Sequence, residues 1–182
     1  MSAAPLPPAP WRPGAPRTLG TLAVVFGWIT ATFAAMTLLN GGRVGGTSDD
    51  NFPAEALAAF TDATQAANLG LNLILITMSV TLVFIGAGLR RYERWAGRAA
   101  ARWSLGALVL VGAIAYVNGV VIGPAAEALF ATADDRELAE MAPAMRWAGL
   151  GSVAIYAPFP IVLVAFLRRA RFVAALDQPR RT

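Results

Sequence analysis

The chain has 182 residues, 57% hydrophobic and only 14% charged, with 15 basic residues that are all arginine and 11 acidic ones. Soluble domains carry about 25% charged residues, so the composition speaks against a simple soluble protein. Histidine and cysteine are absent, which excludes disulfides, thiolate catalysis, haem or iron–sulfur clusters held by those residues, and His/Cys zinc sites within this chain; no cofactor is expected.

Residues 1–18, MSAAPLPPAPWRPGAPRT, are dominated by proline and alanine. Proline withholds helix hydrogen bonds and favours extended chain, so a cytoplasmic tail is expected. The first long apolar run is Leu19–Leu39, with Gly20, Gly27, Ala31 and Ala34 along one side as a helix-packing face. A cleavable signal peptide is the competing reading, but the run is too long and lacks a clean A-x-A-like site. A glycine-rich turn follows, and Pro53 then suits the first turn of a helix. Residues 54–67 form a weakly amphipathic helix that either lies on the outer surface or extends the next span.

The second run is Leu69–Leu89. Asn72 and Ser79 are seven residues apart and share a face with Gln65, Asn68 and Gly86, a stripe that should face protein. The link RRYERWAGRAAAR carries five arginines with Tyr92 and Trp95. Such aromatics anchor spans at headgroup level while arginines snorkel to phosphates. A short loop between two spans does not offer the free basic surface that nucleic acid needs.

The third run is Trp103–Ile122. Gly112, Ala115, Gly119 and Gly123 predict a close-packing face, with Tyr116 beside it. Asn118 lies off that line. It pairs with Asn72 across helices, or faces another subunit or a lipid headgroup. In the connection that follows, Pro124 starts a short helix and Asp134 with Glu137 resembles a capping box. Pro143 restarts the helix that becomes the fourth run, Trp147–Leu167. There Gly149, Gly151 and Ala154 leave room for a neighbour. Pro158 and Pro160 withhold N–H groups from the carbonyls of Ala154 and Tyr156, which predicts a hinge with a bend above about 20°. Residues 168–182 form an arginine-rich tail.

The four runs have 20 or 21 residues each and hold no charge, and about 20 helical residues cross a hydrocarbon core. A soluble bundle would need charged helix faces. The expected fold is therefore all-α: a polytopic, antiparallel bundle of four transmembrane helices over residues 19–167, with short extracytoplasmic helical segments. All arginines except Arg43, Arg136 and Arg146 fall on one side of these spans, and all acids except Glu93 and Asp177 fall on the other. The positive-inside rule makes the arginine side cytoplasmic, with both termini there and the chain in the cytoplasmic (inner) membrane.

No span carries an ionisable Asp, Glu, Lys, Arg or His. Proton relays and ion-coupled pumps normally need one, and a serine nucleophile such as Ser79, Ser104 or Ser152 has no base within the spans. These exclusions favour a non-catalytic accessory or scaffold subunit, with other membrane subunits and phospholipid as partners. The alternative is a small channel or transporter for a neutral or weakly polar solute. Asn72, Ser79, Asn118 and Tyr156 would then form its polar cluster, with Pro158 and Pro160 as its hinge. For the topology, reporters fused after residues 96 and 182 are expected to give cytoplasmic signals and those after 45 and 135 external ones; a cytoplasmic signal at 45 or 135 contradicts it.

Overall fold

The structure is a computed structural model and describes residues 14–39, 51–169, 172 and 176. The proline-rich tail up to residue 13, the glycine-rich turn and most of the arginine-rich C-terminal tail lie outside the described residues. The described elements are helical: α1 (Ala15–Leu39), α2 (Ala54–Arg90), α3 (Arg94–Val117), a π-helical turn (Asn118–Ile122), α4 (Gly123–Phe130), α5 (Arg136–Glu140), α6 (Ala142–Ala148), α7 (Gly151–Tyr156) and α8 (Pro158–Leu167). Four continuous helical rods result: Ala15–Leu39, Ala54–Arg90, Arg94–Phe130 and Ala142–Leu167.

Two of these rods have 37 residues, roughly 55 Å at helical rise. That is well beyond a hydrocarbon core of about 30 Å. The 54–67 segment therefore extends the second span. The third span does not stop at Ile122 as the sequence reading had it. It passes through the π turn into α4, where Pro124 occupies an early position that needs no N–H. Both excess lengths project from the same end of the bundle and meet there.

The first two spans make the most intimate contact. Gly20, Ala23, Gly27, Thr30 and Ala34 are buried on α1. They alternate steps of three and four, the seam spacing of paired helices. Opposite them α2 buries Asn72, Ser79, Leu82, Gly86 and Leu89. A Cβ at Gly86 would stand 2.7 Å from the Gly20 carbonyl oxygen, and one at Gly27 would stand 2.8 Å from the Ser79 carbonyl oxygen. Backbone therefore lies against backbone. Ala31 sits half-buried at the rim, and Thr30 takes the seam position beside it.

A three-residue link turns α2 back into α3. The Glu93 N–H donates to the Gly88 carbonyl at 3.0 Å and the Tyr92 N–H to the Leu89 carbonyl at 3.1 Å. This double closure is the Schellman pattern, which requires a left-handed residue after the cap. Tyr92 fills that place at φ 54°, where glycine is usual.

Span three packs between spans two and four. Ala96, Ala100, Trp103 and Ala107 join Leu82, Ile85, Leu89 and Leu163 in the main core, which also takes in Phe172 and Leu176. Phe26 stacks on Phe159 with ring centroids 5.0 Å apart, and Trp103 meets the same ring edge-on at 6.2 Å. These rings tie spans one and three to span four.

The projecting ends form a second, smaller core of Phe52, Leu129, Phe130 and Ala142. Asp134 N–H donates to the Asn51 carbonyl at 3.2 Å, and Arg146 pairs with Glu127 at 3.4 Å. The cap of α5 is Asp135, whose carboxylate accepts from the Glu137 N–H at 2.8 Å. This lies one residue beyond Asp134, the cap that the capping-box spacing predicts.

Elsewhere the bundle shows apolar surface to its surroundings. At most 28% of the most apolar stretch of any rod is buried. Trp28, Phe33, Phe84, Leu105, Val109 and Ile155 all point outward. Hydrocarbon solvates such a surface and water does not. The chain is a multi-pass, all-α membrane protein.

Candidate functional site

Polar atoms inside a bilayer must find partners within the protein, so their placement is the most informative chemistry in this fold. Among the described residues, the side-chain hydrogen bonds between spans and the buried asparagine amides fall at three separate places along the bundle.

The first lies between spans one and two, where the Thr30 and Ser79 hydroxyls are 2.7 Å apart. Thr30 Oγ1 also donates back to the Phe26 carbonyl at 2.8 Å. Nearby, the Trp103 indole N–H donates to the Met78 carbonyl at 2.8 Å, pinning span three to span two. A small cavity opens beside these groups, with a volume of about 30 Å³. All four spans line it: Phe26 and Thr30, Met78 and Ser79, Trp103 and Ile114, Tyr156 and Pro160.

The second place is the π turn. The Gly123 N–H donates to the Asn118 carbonyl five residues back, which widens the helix locally. Span four is irregular at the same level. Leu150, Ser152 and Val153 donate to Trp147, Gly149 and Leu150, each three residues back, a 3₁₀ tightening between α6 and α7. The Asn118 side chain bridges the two irregularities. Its amide donates to the Gly149 carbonyl at 3.1 Å and to the Ser152 hydroxyl at 3.3 Å. Ser152 in turn donates to the Gly149 carbonyl at 2.6 Å. A Cβ at Gly149 would stand 2.7 Å from Asn118 Cγ. A side chain at Gly123 would run into the Arg146 carbonyl. Both glycines are thus fixed by close approach.

The third place is Asn72, buried on α2, whose amide donates to the Asn68 carbonyl of its own helix at 2.8 Å.

The four residues expected as one polar cluster are therefore divided. Ser79 and Tyr156 share the cavity, Asn118 belongs to the π turn, and Asn72 bonds within its own helix. The expected Asn72–Asn118 pair does not form, because each amide reaches a nearer backbone carbonyl. The expected packing face of span three is divided too: Gly123 lies against span four, whereas Gly112 and Gly119 face away from the bundle. Positions Gly112 and Gly119 have nothing within 4 Å of an added Cβ. The buried side runs instead through Ala107, Val111, Ile114 and Asn118. At Pro158 and Pro160 the helix is interrupted at Ala157, which keeps right-handed helical dihedrals of φ −71° and ψ −36°. Bonds from Ala157 N–H to Val153 at 2.9 Å and from Ile161 N–H to Ala157 at 3.4 Å flank the interruption.

Sequence reasoning missed Thr30, Trp103 and Ser152 as polar partners. Thr30 was legible in principle, because it falls three residues after Gly27 and four before Ala34. Trp103 was read as the start of a span, where tryptophan commonly anchors at the interface; here its indole is buried.

No family model, curated protein or solved structure matches the chain.

The Asn118–Gly149 contact predicts a measurable coupling. Asn118→Ala removes an interhelical bond and is expected to cost about 1 kcal/mol. Gly149→Ala forces a methyl group into the Asn118 side chain and is expected to cost about 2 kcal/mol. Unfolding of the double variant in lipid or mild detergent should fall short of the sum by about 1 kcal/mol. Strict additivity contradicts the contact.

Proposed function

We propose that the chain is a non-catalytic accessory or scaffold subunit of a larger membrane protein complex. In this reading it resides in the cytoplasmic (inner) membrane with both termini in the cytoplasm, held there by the arginines of the α2–α3 link and the tails. Its partners are other membrane subunits and phospholipid.

The observation that carries this reading is the contrast between the two sides of span three. The inner side binds its neighbours through Trp103 and Asn118. The outer side presents Gly112, Ala113, Tyr116 and Gly119 with open space at both glycines. Small residues let another membrane helix approach closely, and the Tyr116 hydroxyl offers it a polar contact. The amides of Asn72 and Asn118 meanwhile donate within the bundle. A second reading, a small channel or transporter for a neutral solute, is favoured by the cavity at which all four spans meet.

Purification from native membranes in mild detergent or nanodiscs tests the proposal. A second membrane protein is expected to co-purify in constant ratio. Replacing Gly112 and Gly119 together with leucine should lower its recovery about tenfold, the effect of losing roughly 1.4 kcal/mol of association, while the bundle stays folded. A solitary monomer without a reproducible partner contradicts it. Solute flux in proteoliposomes of the chain alone, abolished by a bulky residue at Ser79, would carry the second reading instead.

A further inference from the structure

Three polar groups on residues that line the central cavity lack a complete set of partners. The first is Ser79 Oγ. The Thr30 and Ser79 hydroxyls are 2.7 Å apart with either oxygen able to donate, and in both directions Ser79 Oγ keeps a lone pair that can accept. The second is the Tyr156 hydroxyl, which has no hydrogen-bond partner among the described residues although Tyr156 lines the cavity. The third is the Tyr156 backbone carbonyl. Its helical donor would be the N–H of residue 160, and Pro160 has none. Tyr156 and Pro160 both line the cavity.

The remaining wall is apolar, from Phe26, Leu75, Leu82, Val111 and Ile114. A volume of about 30 Å³ is too small for an acyl chain or a ring. It matches about two water molecules, each needing roughly 10–15 Å³ and two to four polar partners. Carbonyls that proline frees inside a membrane are commonly re-satisfied by ordered water.

We propose that this cavity is a water-binding site inside the membrane. One water accepts from the Tyr156 hydroxyl and donates to Ser79 Oγ, and a second donates to the Tyr156 carbonyl and to the first. Together they complete the hydrogen bonding of span four at its prolines and link that span to the Thr30–Ser79 pair. The site is independent of any partner subunit.

Radiolytic hydroxyl labelling in lipid nanodiscs tests this, because water held against a side chain is the local source of the radical. In the wild-type chain Tyr156 is expected to be labelled about threefold faster than Tyr116. Tyr116 is 68% exposed on the outer surface and does not line this cavity. The variant Ser79→Ala with Pro160→Ala removes one acceptor and restores the missing N–H. Labelling of Tyr156 and Met78 should then fall about threefold relative to Trp95, as the water loses two of its partners. Labelling of Tyr156 no faster than Tyr116 overturns the proposal on the wild-type chain alone, whether or not the variant folds. Unchanged labelling in a folded variant overturns it equally.

Discussion

Gly20 and Gly86 bring the backbones of the first two spans into direct contact, and much of the bundle is arranged around that approach. In lipid no hydrophobic force draws one helix to another, because the tails are as apolar as the side chains. Association has to come from dispersion between closely fitted surfaces and from hydrogen bonds. Removing side chains at Gly20, Gly27 and Gly86 shortens the distance between axes. Ala23 and Leu82 can then interdigitate with nothing between them, and the Thr30 and Ser79 hydroxyls come within 2.7 Å. Interhelical polar contacts in membranes average about 0.6 kcal/mol each. The hydroxyl pair therefore sets the register of α1 on α2 more than it sets their affinity, and the glycine seam supplies most of the attraction.

The other spans are attached to this pair by fewer, more directional contacts. Trp103 docks span three through one indole N–H to the Met78 carbonyl. Phe159 docks span four between Phe26 and Trp103. Towards the projecting end, irregular backbone in one helix is matched by irregular backbone in the next. The π turn at Asn118–Ile122 and the 3₁₀ tightening around Gly149 lie side by side, and the Asn118 amide serves both. Beyond that level two rods outgrow the hydrocarbon and close over a second core at Phe52 and Phe130. The molecule is thus a lipid-embedded body carrying a compact cap.

Much of this fold was legible in the residues because the bilayer imposes a strict condition. Four charge-free runs of span length can hardly be anything but spanning helices. Gly27 and the Asn72–Ser79–Gly86 stripe were legible as inward faces because a repeat of seven keeps one helix side constant. What a single helix cannot reveal is which of its sides the neighbour chooses. Gly112 and Gly119 satisfy the small-residue rule as well as Gly20 and Gly27 do, yet the first pair faces outward and the second inward. The third span turns its Trp103–Val111–Asn118 side to the bundle because an indole N–H and an amide need partners that lipid does not supply. Asn72 and Asn118 misled for a related reason: sequence gives an amide's depth, whereas its partner is set by the rotation of the other helix. The end of span three was obscured by Gly123-Pro124, a pair that usually stops a helix but here follows a π turn.

Cross-linking of the first two spans tests the account most directly, and the natural absence of cysteine leaves no background. Thr30→Cys combined with Ser79→Cys places two thiols where the hydroxyl oxygens are 2.7 Å apart, close to the spacing that a disulfide requires. Mild oxidation in native membranes is expected to join them within one chain in most molecules, while Thr32→Cys with Ser79→Cys, on the outward side of α1, stays reduced. Failure of the first pair to join in a folded protein, or equal joining by the second, would contradict a glycine-seamed contact between the first two spans.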